Sequence, residues 1–444
     1  MNTFRRSWPH LMILILTLSA LFLRWDLNAN TEVIAPVRSD AVDYYFGAYN
    51  LLQFGTYSKQ VQPPDQAEHV APQPDALRPP GYSLFIAPFI EFPPTEQMIV
   101  PIRLLQVVLS ALVVALVCYA LLPFVGPWAT GAAGFLVAIS PHLMSMNTYL
   151  LTESLYTFSL ALLILLLSRF CRTAHFGYAA GIGVVVAVSA LVRPTSLYLM
   201  LVIIPFAYFV WSSRSGQSRW LPVLAMTLGF SLVYAPWAMR NNTTDLAETR
   251  SLSIDTLHKG MYPGLMYRGD PTTFGIPNRS DPAFVVRGKH LDLVVREIVR
   301  RVKEEPAEYL RWYVVGKPLM FLSFDIIVGM GDVFVYPVSK TNMFSDPVLS
   351  ATHALSRVLH WPITVLALVM MMVIWLPSMK EKLSREALLF FRILSAVLAY
   401  FIAVHAVGTP LPRYSIPIRP ITFSLSVACI FVLMASATGK QTRL

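Results

Sequence analysis

The chain has 444 residues, 55% of them hydrophobic and 14% charged, with a formal net charge of +10. Soluble domains carry about 25% charged residues, so an ordinary soluble protein is excluded. The basic residues are scattered and no nucleic-acid motif accompanies them, which points away from nucleic acid and towards anionic lipid or phosphate.

Repeated apolar runs long enough to cross a ~30 Å hydrocarbon layer predict an all-α polytopic membrane protein. The first run, Leu11 to Leu23, follows Arg5-Arg6 as in a signal peptide. Arg24-Trp25-Asp26 comes next, where a cleavage site needs small residues, so a retained anchor is expected. Spans are expected at 8–24, 101–122, 127–146, 149–168, 176–192, 196–212, 220–238, 356–376, 387–408 and 415–436. With both termini cytoplasmic, the inner loops hold Arg169/Arg172, Arg214/Arg219 and Lys380/Lys382/Arg385, and the tail holds Lys440 and Arg443. Every charged inner loop is then net basic. Trp312 to Val328 is apolar enough to cross, but a crossing there would put Lys380, Lys382 and Arg385 outside. It is read instead as a segment at the outer interface, anchored by Trp312, Tyr313 and Lys317. Cys118, Cys171 and Cys429 lie in or beside spans, without metal-ligand spacing or obvious disulfide partners.

Two large outer regions are expected. Residues 25–100 contain a helix over 41–54 and a polar, Pro-rich stretch at 61–80. In the second region, Leu291, Val294, Val295, Ile298 and Val302 recur at helical spacing beneath Arg296, Arg300, Arg301 and Lys303. That is an amphipathic helix closed before Pro306, packed either on the membrane surface or on other loops. Three units follow: a transmembrane module at 1–240, an outer region at 241–355 and C-terminal transmembrane helices at 356–444.

On this topology the unusual polar residues collect at one membrane face. Asp40, Asp43, Tyr44, Arg78 and Tyr82 follow span one, and Glu153 starts span four. Arg193 ends span five, Arg240 ends span seven, His405 is near the end of span nine, and Arg413-Tyr414 turn into span ten. Ionisable groups at membrane depth are costly and are usually functional or paired.

The motifs carrying these residues resemble a known family. Asp40-Ala-Val-Asp43-Tyr44 opens a stretch running to Gly55-Thr-Tyr57, followed by Arg78-Pro-Pro-Gly-Tyr82-Ser-Leu-Phe-Ile-Ala-Pro-Phe89. Then come Leu151-Thr-Glu-Ser-Leu155, Arg193-Pro194, Pro236-Trp-Ala-Met-Arg-Asn241 and Arg413-Tyr-Ser-Ile-Pro-Ile418. In this order they resemble bacterial relatives of glycosyltransferase family 39. That is the GT-C branch containing protein O-mannosyltransferases and the lipid A aminoarabinose transferase. The resemblance implies a GT-C-type bundle of about ten transmembrane helices, with outer-face juxtamembrane helices and loops. It also implies inverting transfer of a sugar from a polyprenyl phosphate to a glycan, lipid or protein acceptor outside a bacterial inner membrane. Asp40 matches the family's catalytic carboxylate, while Arg78, Arg193, Arg240 and Arg413 would contact phosphate or sugar. Many relatives carry an acidic residue directly after the first Asp, where this chain has Ala41. Should a divalent cation take part, Asp40 is its expected ligand, although no metal spacing demands one.

The chemistry suits the residues. A carboxylate can take a proton from a weakly nucleophilic hydroxyl, and arginine forks match phosphate oxygens. Each residue also has a plainer reading. Asp40 can cap the 41–54 helix, Asp43 can favour its positive end, and Arg78 can be a loop charge. Arg193 and Arg240 can snorkel to headgroups, and Glu153 can pair locally. His405 can be a hydrogen-bonded core histidine, and Tyr414 an interface anchor. The rival functions are a lipid-linked sugar flippase or transporter, and an O-antigen ligase or polymerase.

Overall fold

The computed structural model describes residues 2–61, 71–211, 218–246, 251–265, 281–288, 290–327 and 331–437. Arg214, Val328, Lys440, Arg443 and the first part of the Pro-rich stretch lie outside the described residues. Among those described, seven helices are long and apolar enough to cross a membrane. They are Ser7–Ala29, Glu96–Ile139, Glu153–Thr173, Leu221–Thr243, Pro347–Val373, Arg385–Val407 and Pro412–Ser436. Phe176–Val192 and Pro194–Val210 are shorter apolar helices. The protein is an integral, multi-pass, all-α membrane protein with almost no sheet.

Glu96–Ile139 is two helices joined by a reversal. Gly126 within it has φ 72 and ψ 175, and Pro127 follows. The Cys118 Sγ lies 3.7 Å from the Thr130 carbonyl oxygen, and Gly134 packs against Cys118 and Val114. On one straight helix residues 118 and 134 would stand ~24 Å apart. The chain therefore reverses at Gly126 into antiparallel arms, 96–125 and 127–139. With the two shorter helices, this accounts for the ten apolar segments expected.

Several boundaries differ from expectation. The segment expected over 127–146 stops as a helix at Ile139, because Ser140 precedes Pro141 and turns extended (ψ 111). Span four begins at Glu153 and reaches Thr173. Span eight begins earlier, at Pro347, where the Asp346 carboxylate accepts from the Val348 and Leu349 amides and caps the helix.

Close backbone contacts hold the frame. A Cβ on Gly183 would strike the Met226 carbonyl, and one on Gly229 the Ala180 carbonyl. Small residues let membrane helices approach in this way, so Phe176–Val192 and Leu221–Thr243 cross in direct contact. Outside the spans, helix Asp40–Phe54 ends at Gly55, which adopts φ 63 and donates its amide to the Leu51 carbonyl. Gly81 rests against the end of span five; a Cβ there would be 2.6 Å from the Leu191 carbonyl oxygen. The Pro79-Pro80-Gly81 turn is thereby seated beside Arg193. A two-stranded antiparallel sheet, Glu32–Val33 with Val338–Lys340, ties the two outer regions together.

The second outer region contains helices Leu252–Gly260, Leu291–Glu304 and Pro306–Arg311. The last continues through a π-helical turn at Trp312–Gly316 into Lys317–Phe321. The sequence suggests Trp312 and Lys317 as membrane-surface anchors, but both are buried in protein. The Trp312 indole donates to the Gly260 carbonyl, at 2.9 Å. The Lys317 ammonium donates to the Val407 and Gly408 carbonyls, at 3.1 and 3.0 Å. Those carbonyls are orphaned where span nine ends, and they need a donor.

A Gly183→Val protein should lose ~1–3 kcal/mol of stability from overpacking at the crossing. Thermal unfolding in detergent measures this, and an unchanged midpoint would mean that the two backbones are not in contact.

Candidate active site

Asp40 is the first residue of its helix. Ser39 occupies the capping position, with φ 52 and no side-chain cap bond. The Asp40 carboxylate is therefore not used as a cap; it meets guanidinium groups instead. Arg78 donates from NH2 to Asp40 Oδ1 at 2.7 Å and from Nε to Asp43 Oδ2 at 3.0 Å. Asp40 and Asp43 share one helix face, three residues apart, so one arginine fork bridges both. The other Asp40 oxygen accepts from Arg413 NH2 at 2.5 Å. Arg413 Nε also lies 3.1 Å from Glu153 Oε1, out of line for a hydrogen bond. The same Glu153 oxygen accepts from Arg193 NH2 at 3.0 Å.

The result is an unbroken chain of alternating sign: Asp43, Arg78, Asp40, Arg413, Glu153, Arg193. Three carboxylates and three guanidinium groups sum to zero. The side chains are mostly screened from solvent, Glu153 being only 1% exposed. Burial pushes the Asp40 carboxyl up, but Arg413 and Arg78 outweigh it and hold it well below the usual carboxylate range. Burial likewise works against the Arg78 charge, and the carboxylates of Asp40 and Asp43 more than offset it.

Aromatic rings floor the chain. The Tyr414 ring lies under Arg193 and Arg413, 5.1 and 5.6 Å from their guanidinium carbons. Tyr44 lies 5.5 Å from that of Arg78 and meets Tyr82 edge-on, with ring centroids 5.0 Å apart. Burial pushes the Tyr44 hydroxyl up to about 12, so it stays protonated. Tyr82 donates to Gln106 Oε1 at 2.8 Å.

Two of the sequence-derived candidates stand apart. His405 donates from Nδ1 to the Phe401 carbonyl at 2.8 Å, stacks on Phe321 and packs behind Tyr414. It takes its plainer reading, as a hydrogen-bonded core histidine. Arg240 binds the backbone carbonyls of Asp75 and Tyr57 at 2.6 and 2.9 Å and lies over Trp237. It ties span seven to the first outer loop and makes no contact with the charged chain.

A cavity of about 250 Å³ opens onto Asp40, Arg78 and Arg413. Helix Leu252–Gly260 lines it as a roof, through Leu252, Asp255, Thr256 and Lys259, and Tyr336 lines it as well. This roof is held by Thr409, whose hydroxyl donates to the Thr256 carbonyl at 2.8 Å, and by Gly260 lying against Gly408. Sequence reasoning missed the roof, Tyr336 and Tyr156, whose ring lies under Arg193. It also passed over Gln106, a lone amide in an apolar span and so a readable signal.

Among the described residues, no three His, Cys, Asp or Glu side chains group as metal ligands. Both Asp40 oxygens are engaged by cationic forks, so these residues do not fit a divalent cation.

Residues 78–239 match the sequence family described as dolichyl-phosphate-mannose-protein mannosyltransferase. The resemblance to family 39 of the GT-C enzymes is present in that segment. No curated protein sequence matches the chain. Among solved structures, it is similar to the oligosaccharyltransferase AglB of Archaeoglobus fulgidus in complex with an inhibitory peptide and a dolichol-phosphate. The TM-score is 0.51 at 14% identity, covering 98% of this chain and 52% of that one. The fold is the GT-C fold. The A. fulgidus oligosaccharyltransferase tethered to an acceptor peptide gives a TM-score of 0.52 at 13% identity, over 100% of this chain and 53% of that one. The chain thus spans about half the length of these enzymes. ArnT of Cupriavidus metallidurans bound to undecaprenyl phosphate covers 90% of this chain and 78% of its own, at 14% identity and a TM-score of 0.38. The family match contains Arg78, Tyr82, Glu153 and Arg193 but neither Asp40 nor Arg413.

Removing one partner of a buried pair strands the other charge, at ~3–5 kcal/mol, whereas exposed pairs are worth ~0–1 kcal/mol. Glu153→Gln should therefore destabilise the protein by the larger amount, and Asp43→Asn, at the end of the chain of charges, by much less. Chemical denaturation of the two variants checks the order; equal losses would show that Glu153 is not the buried link.

Proposed function

We propose that this protein is a polyprenyl-phosphate-dependent glycosyltransferase that acts at the outer face of the membrane with inversion at the sugar. One observation carries the reading: Asp40 meets Arg78 and Arg413 at the mouth of a cavity where helix ends from both halves of the chain converge. The GT-C fold and the family match at 78–239 support it. Both termini are cytoplasmic, because that orientation leaves the basic loops inside.

The donor's phosphate binds among Arg413, Arg193 and Arg78, while its prenyl tail stays in lipid alongside the spans. The acceptor, a glycan, lipid or protein hydroxyl, enters the cavity beneath helix Leu252–Gly260. Asp40 accepts the hydroxyl proton as the oxygen attacks the anomeric carbon from the face opposite the phosphate. The bond from that carbon to the phosphate oxygen breaks, and polyprenyl phosphate leaves as an anion stabilised by the arginines. No strong general acid is needed. With a net-neutral set of side chains, the incoming phosphate must compete for forks that now hold Asp40 and Glu153. When Arg78 or Arg413 turns to phosphate, Asp40 becomes more basic, so donor binding readies the base.

The polar groups sit on helix ends and turns at one end of the bundle. That favours an enzyme over a transporter, whose polar sites lie at mid-membrane between repeats.

Purified protein incubated with a panel of polyprenyl-phosphate sugars and acceptors should release polyprenyl phosphate, and a folded Asp40→Asn variant should not. Equal turnover by that variant would reject Asp40 as the base. The pH dependence gives a separate check. In the free enzyme the depressed Asp40 carboxyl is ionised throughout the neutral range, so kcat/KM for donor should lack an acidic limb from it. In the donor complex, weaker pairing and an added negative charge both raise that carboxyl, so the acidic limb of kcat should lie at higher pH than that of kcat/KM. Coincident limbs would mean that the phosphate does not take the arginines from Asp40.

A further inference from the structure

Helix Leu291–Glu304 is packed inside out. Glu297, 11% exposed, and Arg301 face the protein together with buried Val294. There Arg301 Nε pairs with Glu297 at 2.7 Å, and Arg287 pairs with Asp281 at 2.7 Å. The Arg301 guanidinium also lies 4.7 Å from the centre of the Tyr262 ring. Leu291, Val295 and Val299 are 50%, 46% and 46% exposed, and Val302 is exposed with them. At about 100° per residue these four form one narrow stripe. Asp292, Arg296, Arg300 and Lys303 fall in the next sector round, also exposed. A helix covering a soluble core puts its apolar stripe inward; this one turns its stripe out, between a buried ionic face and a solvated one.

The stripe does not stand alone. Val285 and Val286 are exposed just before it, and Leu310, Val314 and Leu319 just after it. The last of these belongs to the segment in which Lys317 caps the end of span nine. That contact sets the apolar surface at the level where span nine leaves the membrane. The Arg301 end of the helix is tied to the same level, because Tyr262 lies two residues beyond Gly260, which touches Gly408.

We propose that helix Leu291–Glu304 docks on the outer leaflet of the membrane that holds the protein. Leu291, Val295, Val299 and Val302 enter the boundary between headgroups and acyl chains, while Arg296 and Lys303 remain among the headgroups. The occupant is lipid, because the stripe continues the lipid-facing surface beside span nine. The helix is tied to the roof of the cavity through the short helix Phe284–Arg287, whose Arg287 lies 4.0 Å from Glu297 and whose Phe284 stacks on His258, so the docking also fixes the roof's height above Asp40. The inference does not depend on the transferase reading.

The test uses the full chain with nitroxide labels on single cysteines introduced at Val295, Val299 and, as a control, Arg296; Cys118, Cys171 and Cys429 are buried. The protein is reconstituted in phosphatidylcholine–phosphatidylglycerol vesicles, and label collisions with oxygen and with a water-soluble nickel chelate are compared. The expected oxygen-to-nickel ratio is several-fold higher at 295 and 299 than at 296. Equal ratios on both sectors overturn the proposal. So does protection at 295 and 299 that disappears when the vesicles are diluted in lipid, since a second copy would then be the cover. A Val295→Glu/Val299→Glu protein labelled at 302 should lose lipid contact there at an unchanged melting temperature; retained lipid contact would also count against docking by the stripe.

Discussion

The chain of alternating charges from Asp43 to Arg193 is the constraint the rest of this structure serves. Its members come from the first outer helix, the following loop, the starts or ends of two spans, and the turn before the last span. Any one of them alone at that depth would be expensive. Linked end to end they are neutral, and the low dielectric around them strengthens each pair. Arg413 is the joint: it holds Asp40 with one nitrogen and approaches Glu153 with another. A turn near the C-terminal end thus locks together groups from the N-terminal half.

The frame explains why these ends meet. Glycines remove side-chain bulk where backbones must touch: Gly183 and Gly229 between spans five and seven, Gly81 on the end of span five, and Gly260 on Gly408. Two of these contacts fix neighbours of the charged chain. Gly81 seats the loop bearing Arg78 beside the residue before Val192-Arg193, and Gly260 seats the roof above Asp40. Lys317 and Trp312 spend their polar groups on backbone carbonyls at the same level. Stability and site geometry are thus carried by the same few contacts.

Much of this is legible in the sequence, for physical reasons that differ by residue. Ten apolar runs are readable because lipid tolerates little else, and the reversal at Gly126-Pro127 is marked by its own residue types. Asp40, Arg78, Glu153, Arg193 and Arg413 stand out because charges at span ends are rare. Which charge pairs with which is not readable, since pairing depends on loop paths with no period. Arg240 shows the limit: it has the same residue type and the same place at a span end, yet its bonds go to carbonyls of the first outer loop. The roof helix and Tyr336 were invisible because they lie in irregular, polar stretches. The helix at 291–304 was visible as amphipathic, but not which of its faces turns outward; buried partners such as Asp281 and Tyr262 decide that.

In the reaction proposed above, a base held by two arginines looks too weak for its task, and the resolution lies in the bookkeeping of charge. Nothing among the six groups is left over to attract an anion, so a phosphate gains a fork only where a carboxylate loses one. Truncating an arginine would therefore disturb donor and base together. On that proposal the exchange would also keep Asp40 unreactive until a donor has entered, because its proton affinity would rise only when Arg413 or Arg78 turns away. In a cavity open to water, that ordering matters. It would stop the carboxylate from activating water before a donor is bound, and it would restrict proton transfer to the moment when the arginines can stabilise the leaving phosphate.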